Sequence, residues 1–225
     1  MVSEFVCAHL MDLVGLPSPR HAVLEVENTF VADNNYTVLA GPAFATRWEK
    51  LAATYSGSAE VLKRLENPSV IAMIVVFDTW VLNGDRFGTY MGSGSDNLDN
   101  LLLVPNGNKL SVMVIDHSHA FVESTFEDGL PDMWWEDDGV FGVHPNFAPF
   151  LVEDALFSAI DAVSSVTSQQ IEEVIDQIPR EWSIGTLLSE RLKQGIFERG
   201  QSLSTWLPQR LLSQPPLHPE LGNRL

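Results

Sequence analysis

Thirteen consecutive positions, 70–82, read Val-Ile-Ala-Met-Ile-Val-Val-Phe-Asp-Thr-Trp-Val-Leu and carry one charge, Asp78. Such a run is too short to cross a bilayer. It is also too apolar on every face to lie along a surface, so it belongs at the centre of the larger part of a folded domain. Asn67-Pro68 just before it supplies an N-cap and first-turn proline, which predicts a helix over 69–82. That helix leads directly into Asn83-Gly84-Asp85-Arg86. A free carboxylate is costly among apolar neighbours, so Asp78 is expected as a buried hydrogen-bonding brace and not as a reacting group.

The rest of the composition narrows the class. With 225 residues, 45% of them hydrophobic, and a mean hydropathy of +0.04, the chain can bury a core as one sizeable domain or two small lobes. Thirteen basic residues against thirty acidic ones give a net charge of −17. No stripe of Lys and Arg interleaved with aromatics offsets that balance, so a phosphate backbone is repelled and direct nucleic-acid binding is not expected. The single cysteine, Cys7, excludes an internal disulfide and reads as a small buried residue. The first residues lack the basic-then-apolar layout of a signal peptide, and the expectation is a soluble, cytoplasmic protein without membrane association.

Along the chain, Val2, Phe5, Val6, Leu10 and Leu13 recur at helical spacing and are stopped by Gly15 and Pro17. Extended stretches are expected at 22–26 and 36–39, divided by the turn-prone Asp33-Asn34-Asn35 and paired as a hairpin. Gly41-Pro42 reads as a break, followed by helical stretches over 47–55 and 58–65. Residues 101–104 and 110–115 alternate as β-runs around Pro105-Asn106-Gly107-Asn108, a strong hairpin signal. From 150 onward the pattern is helical: 150–164, then a helix capped by Thr167 with Gln170 three residues later, then 182–199 and 202–212. The Pro-rich residues 214–225 are expected to carry no fold.

Chemistry concentrates in three places: Phe77-Asp78-Thr79-Trp80-Val81-Leu82-Asn83-Gly84-Asp85-Arg86, Leu98-Asp99-Asn100-Leu101-Leu102, and Val114-Ile115-Asp116-His117-Ser118-His119-Ala120-Phe121. An antiparallel hairpin brings the start of its first strand beside the end of its second, so Asn100 and Asp116 should lie within a residue or two of facing each other. Two oxygen donors on one edge suit Mg²⁺, which takes few protein ligands and bridges nucleotide phosphates. A carboxylate on the preceding loop, Asp85, would orient an acceptor hydroxyl and take its proton.

These motifs resemble the HipA-like kinase family, related in its catalytic core to the phosphatidylinositol 3/4-kinase fold, whose members read roughly F-D-x-W-x-x-N-x-D-R, N-L-L and I-D-H-x-x-A-F. The resemblance implies an α+β, protein-kinase-like large lobe, mostly helical, with a short β-hairpin at the active site. It implies Asp85 as the catalytic aspartate, Asn100 and Asp116 as metal ligands, and Asn83 and Arg86 as braces of the catalytic loop with Asn83 on the cofactor side. Glu4 matches the glutamate that pairs with the family's nucleotide-binding lysine. The implied cofactors are Mg²⁺ and ATP, with a protein serine or threonine as substrate. Phe87 stands where many relatives have histidine, and the Gly- and Ser-rich loop after it is long.

The same resemblance sets an expected organisation. Residues 1–45 correspond to a remnant of the small lobe and the hinge, 46–213 to a helical kinase-like lobe, and 214–225 to a tail. No lysine precedes Lys50, and no Gly-rich phosphate loop precedes Gly41. The groups that grip the phosphates are therefore expected from a separate small lobe, an antitoxin-like protein or an upstream segment, and a pseudokinase or interaction module is the alternative function. Several bland readings compete with these roles. Glu4 also suits the first turn of a helix, Asp96 and Asp99 suit a solvated loop, and Ser93 and Ser95 are weak acceptor candidates. His117 and His119, with Asp85 and Asp116, would enter a third possibility, a metal-dependent phosphohydrolase, although no other zinc motif accompanies the histidines. The segment 123–138 holds seven acidic residues, Trp134 and Trp135; it reads as a solvated acidic loop or else as a docking surface.

Overall fold

The computed structural model describes residues 1–31, 36–87, 97–121, 130 and 132–212. Helix α1 (Val2–Val14) buries Phe5, Val6, Leu10 and Met11 and ends where Gly15 turns left-handed at φ 72°. There the Leu16 and Gly15 amides donate to the carbonyls of Met11 and Asp12, satisfying two of the helix's open acceptors.

Strand β1 (His21–Val26) pairs antiparallel with β4 (Gly41–Thr46), and β2 (Thr29–Val31) with β3 (Tyr36–Val38). His21 faces Thr46, Val26 faces Gly41, and Thr29 faces Val38, so both ladders share one register. They form a single two-stranded ribbon, interrupted where the Ala40 amide donates to Asn28 Oδ1 at 2.8 Å. The stretches 22–26 and 36–39 are extended but do not pair with each other. Gly41-Pro42 opens a strand where a break was expected. A ribbon has an outer edge on each strand, and a proline without an N–H is tolerated there. The Asp33-Asn34-Asn35 turn lies outside the described residues.

Residues 47–55 are not helical. Ala53–Thr54 (β5) joins β6 (Leu101–Asn106), which pairs with β7 (Lys109–Val114) in the order β5-β6-β7. Tertiary pairing decides this segment, since the Tyr55 amide donates to the Leu101 carbonyl at 2.8 Å. The expected second helix shortens to α2 (Ala59–Leu62), after which 64–66 lies parallel to β7. The β6–β7 hairpin turns tightly through Gly107 at φ 57°, with Asn106 facing Lys109 and Leu101 facing Val114.

Helix α3 (Val70–Trp80) is the buried centre. All its residues except Met73 are buried, and it packs on α4 (Glu153–Ser164) and α6 (Thr186–Leu212). The expected helix over 150–164 divides at Leu151-Val152 into a 3₁₀ turn, Pro145–Phe150, and α4. Helix α5 (Ser168–Asp176) carries the expected capping box, Thr167 and Gln170 bonding each other's backbone amides. The two last expected helices are one, α6, which continues through Gly200 and Pro208. Its glycines serve close approach. A Cβ on Gly195 would sit 2.3 Å from the ring of Trp134, and one on Gly200 would sit 3.0 Å from Trp80 Nε1.

The described part of the acidic segment is packed, not freely solvated. Trp134 is buried, and α6 holds the segment with three arginines. Arg191 bonds Asp132 and the Leu130 carbonyl, and Arg210 bonds Asp138. Arg199 is fully buried and donates to the carbonyls of Thr79, Trp135, Asp137 and Gly139. Burial brings its guanidinium down to about 10, against the pull of Asp137 and Asp138. Residues 123–129 and 131, like the 214–225 tail, are outside the described set. No helix among the described residues is long and apolar enough to cross a membrane.

Candidate functional site

The end of α3 fixes the loop that follows. Leu82 takes a left-handed φ of 52°, and the Asn83 amide reaches back to the Asp78 carbonyl at 2.8 Å. A branched residue in that conformation costs on the order of 1–2 kcal/mol. The Phe121 amide holds the same turn from the other side through the Val81 carbonyl at 2.7 Å.

Beneath the loop is a buried charge network. Asp78 has no solvent exposure and accepts from Arg86 Nε at 2.7 Å and Asn83 Nδ2 at 3.0 Å. Burial by itself would raise the Asp78 carboxyl. The Arg86 charge and the neighbouring His117 outweigh it and hold the group below its ordinary value. His117 is also fully buried, 3.6 Å from Asp78 Oδ1, with its Nε2 3.3 Å from Arg86 and its ring edge-on to Phe77. Burial lowers its pKa, against the pull of Asp78. His119 is exposed. Among the described residues, no cluster of three or more His, Cys, Asp or Glu side chains is arranged to hold a metal by itself.

Arg86 also ties this network to the hairpin, donating to the Asn100 carbonyl at 2.9 Å and approaching the Ile115 carbonyl at 3.5 Å. The Ile115 amide donates to the same Asn100 carbonyl at 3.0 Å. Asn100 and Asp116 thereby flank one end of the β6–β7 hairpin, the juxtaposition expected from pairing rules. Asp85 joins them, since Asn100 Nδ2 donates to its Oδ2 at 3.3 Å. Asn83 is fully buried and faces Asp78, away from this edge.

Asp116 is half-buried at a left-handed φ of 59°, a conformation aspartate tolerates better than most residues. Burial pushes its carboxyl up, but the hydroxyl and amide of Ser118, both bonded to Oδ1, outweigh that and keep it low. Glu4 approaches from α1, accepting from the His117 amide at 3.1 Å and lying within hydrogen-bonding reach of Asp116. Burial raises the Glu4 pKa to about 7; the His117 amide opposes that and the Asp116 charge adds to it. Glu4 makes no ion pair with a lysine or arginine among the described residues.

A cleft of about 610 Å³ opens beside Glu4 and Asp116. Leu102, Val114 and Ile115 of the hairpin line one side, and Phe44, Arg47 and Trp48 line another. That volume falls within the ordinary range of small-molecule sites. Its lining includes the carboxylates of Glu4, Glu49 and Asp116 beside Arg47 and His117, with no cysteine; carboxylate oxygens suit Mg²⁺ shared with a polyphosphate better than a soft metal.

The family model described as HipA-like kinase matches residues 1–194. The chain belongs to the HipA-like kinase family. Among solved structures, this family member superposes on a chain from the Shewanella oneidensis MR-1 toxin–antitoxin complex of HipA, HipB and operator DNA, with a TM-score of 0.54 at 10% identity. The match covers 95% of this HipA-like chain and 58% of that one, so the chain spans little more than half the length of its neighbour. At such low identity the likeness is one of fold, an α+β kinase-like fold. No curated protein matches the sequence.

Three participants escaped the sequence reading. Asn97 donates to Asp85 Oδ1 at 2.6 Å, Ser118 bonds Asp116, and Trp48 stands at the cleft rim, 82% exposed. Only Asn97 left a signal, its spacing of three from Asn100 in a polar stretch before the hairpin.

Proposed function

We propose that this chain is the catalytic part of a Mg²⁺- and ATP-dependent phosphotransferase acting on a serine or threonine of a protein, of the kinase-toxin type. The observation that carries the reading is the meeting of Asp85 with Asn100 at 3.3 Å, at the hairpin end that Asp116 also flanks. Mg-ATP bound in the cleft would supply the γ-phosphoryl group and neutralise its charge. Asn100 Oδ1 and the Asp116 carboxylate are the oxygens that would hold the cation; Asn100 has only its amide nitrogen committed to Asp85, and Ser118 bonds only Asp116 Oδ1. Asp85 would accept the proton of the attacking hydroxyl. Arg86 and Asn83 keep the loop in register from beneath, with Asn83 acting through Asp78 and not through the nucleotide.

The family neighbour works with an antitoxin, and an antitoxin-like protein or a separate small lobe is the partner proposed here. The ribbon supports that pairing, because among the described residues no third strand joins it and Leu24 and Leu39 are 51% and 76% exposed. The net charge of −17 argues that any contact with DNA is made by the partner. Nothing in the charge or burial pattern opposes a cytoplasmic location.

Titration of Mg-ATP by calorimetry tests the reading. Binding should appear, with candidate small lobes added if needed, and should weaken at least tenfold in Asp116→Asn. Transfer to protein should fall by 10²–10⁴ in Asp85→Ala while nucleotide still binds. Absence of binding under every combination would overturn the assignment. A second reading, a pseudokinase or interaction module, is favoured by one observation, the placement of Glu4 against Asp116 with no lysine or arginine ion-paired to it among the described residues. Transfer of the γ-phosphate that disappears in Asp85→Ala would exclude it.

A further inference from the structure

We infer that Asn97 is a positioning residue for Asp85, and that Asn97 and Asn100 together form an amide fork that sets the orientation of the reacting carboxylate. The inference rests on the phosphotransfer reading above and adds to it a residue that no motif includes.

A single 3₁₀ turn, Leu98–Asn100, follows Asn97, closed by the Asn100 amide on the Asn97 carbonyl at 3.1 Å. Side chains three apart nearly eclipse in a 3₁₀ turn, so residues 97 and 100 project to one side. Their amide groups divide the carboxylate between them. Asn97 Nδ2 donates to Oδ1 at 2.6 Å and Asn100 Nδ2 to Oδ2 at 3.3 Å. Two donors on two oxygens stop rotation about the Cβ–Cγ bond and still leave each oxygen a lone-pair direction for an acceptor hydroxyl.

A local structural role for the Asn97 side chain does not fit. Asparagine at the start of a helical turn ordinarily bonds the turn's own free amides. Asn97 occupies that position, yet its side chain makes no capping bond. It reaches twelve residues back to Asp85 instead. The turn is held from below without it, because the Asn100 carbonyl is fixed by Arg86 and Ile115. The shorter bond is the one from Asn97, so it supplies the firmer half of the fork, while Asn100 is the half that would also face the cation.

The test uses the full chain, with any small lobe needed for activity. NMR of the Asn97 side-chain amide should show slowly exchanging protons whose signal collapses in Asp85→Ala, a readout independent of turnover. In kinetics, Asn97→Ala should lower kcat roughly tenfold by loosening the carboxylate. Mg-ATP affinity should stay within about twofold and the melting temperature within about 2 °C, as expected for a half-exposed residue outside the core. Asn97→Gln, which keeps an amide donor, should recover part of the rate. An active wild-type chain whose kcat is unchanged in Asn97→Ala would overturn the positioning role and leave the phosphotransfer reading intact. A chain that neither binds Mg-ATP nor transfers phosphate would remove both, and the Asn97 bond would then be structural only.

Discussion

Two carboxylates thirty-eight residues apart, Asp78 and Asp116, occupy opposite sides of the same loop and are treated in opposite ways. Asp78 lies in the core, and Arg86 and Asn83 take up its oxygens. Asp116 lies at the hairpin edge, half-exposed and left-handed, supported by Ser118 and facing a second carboxyl, Glu4. A buried charge is tolerable only when paired and hydrogen-bonded. The edge instead collects acidic oxygens beside a cleft. Self-repulsion of that kind is relieved by a cation, which is why the edge reads as a site and the core network as its foundation.

The contrast can be broken from the core side first. Arg86→Ala leaves Asp78 buried without its cation and should cost about 3–5 kcal/mol, measured by urea unfolding. A loss under 1 kcal/mol would mean that Asp78 is reached by water and that the two regions differ less than the geometry implies. Asn83→Ala removes one donor from Asp78 but also an acceptor, Asn83 Oδ1, that has no partner among the described residues. The two effects oppose, and the net loss should be about 1–2 kcal/mol.

At the edge the expected effects are smaller and partly reversed in sign. Glu4 has a folded-state pKa of about 7 against an ordinary 4.5. Between those values the folded protein holds a proton that the unfolded chain has released, so stability should fall as pH rises through that window. Glu4→Gln should flatten this slope by about 1 kcal/mol, less than the full shift would give because the side chain is only partly buried. Unfolding curves at pH 5 and 7.5 decide it; equal slopes in both proteins would show that Glu4 is ionised throughout. Smallest of all, Asp116→Asn should leave stability unchanged or raise it by up to about 0.5 kcal/mol, since asparagine accepts the left-handed backbone and ends the confrontation with Glu4. The same variant is the one expected to lose Mg-ATP affinity, and loss of function with no loss of stability is the signature of a site residue.

Much of the site was legible before any coordinates, and unevenly so. The β6–β7 hairpin announced itself through alternation and the Pro105-Asn106-Gly107-Asn108 turn, and pairing rules then placed Asn100 and Asp116 on one edge. Asp78 was legible as a brace because a lone carboxylate in an apolar helix has few other means of existing. The ribbon is hard to read because β1 is mostly exposed, β4 is half-buried along nearly its whole length, and neither alternates, so Gly41-Pro42 looks like a boundary. Residues 47–55 have helical spacing but make a turn at 50–51 and then β5, which pairs with the edge of β6. The α6 helix was divided at Gly200 because a glycine at a packing contact looks the same in sequence as a glycine at a stop.

By itself, then, the sequence determined a buried central helix, the hairpin, the order of the acidic and amide residues around them, and the family. These follow from local periodicity and from motifs whose members are close in the chain. Only the tertiary structure decided that Glu4, 112 residues before Asp116, stands against it; that α6 runs unbroken and anchors the acidic segment with three arginines; and that Asn97 turns away from its own helical turn toward Asp85. Each of these depends on which surfaces meet across the core, and the free energy of such meetings is set by packing and desolvation, which no local pattern of residues records.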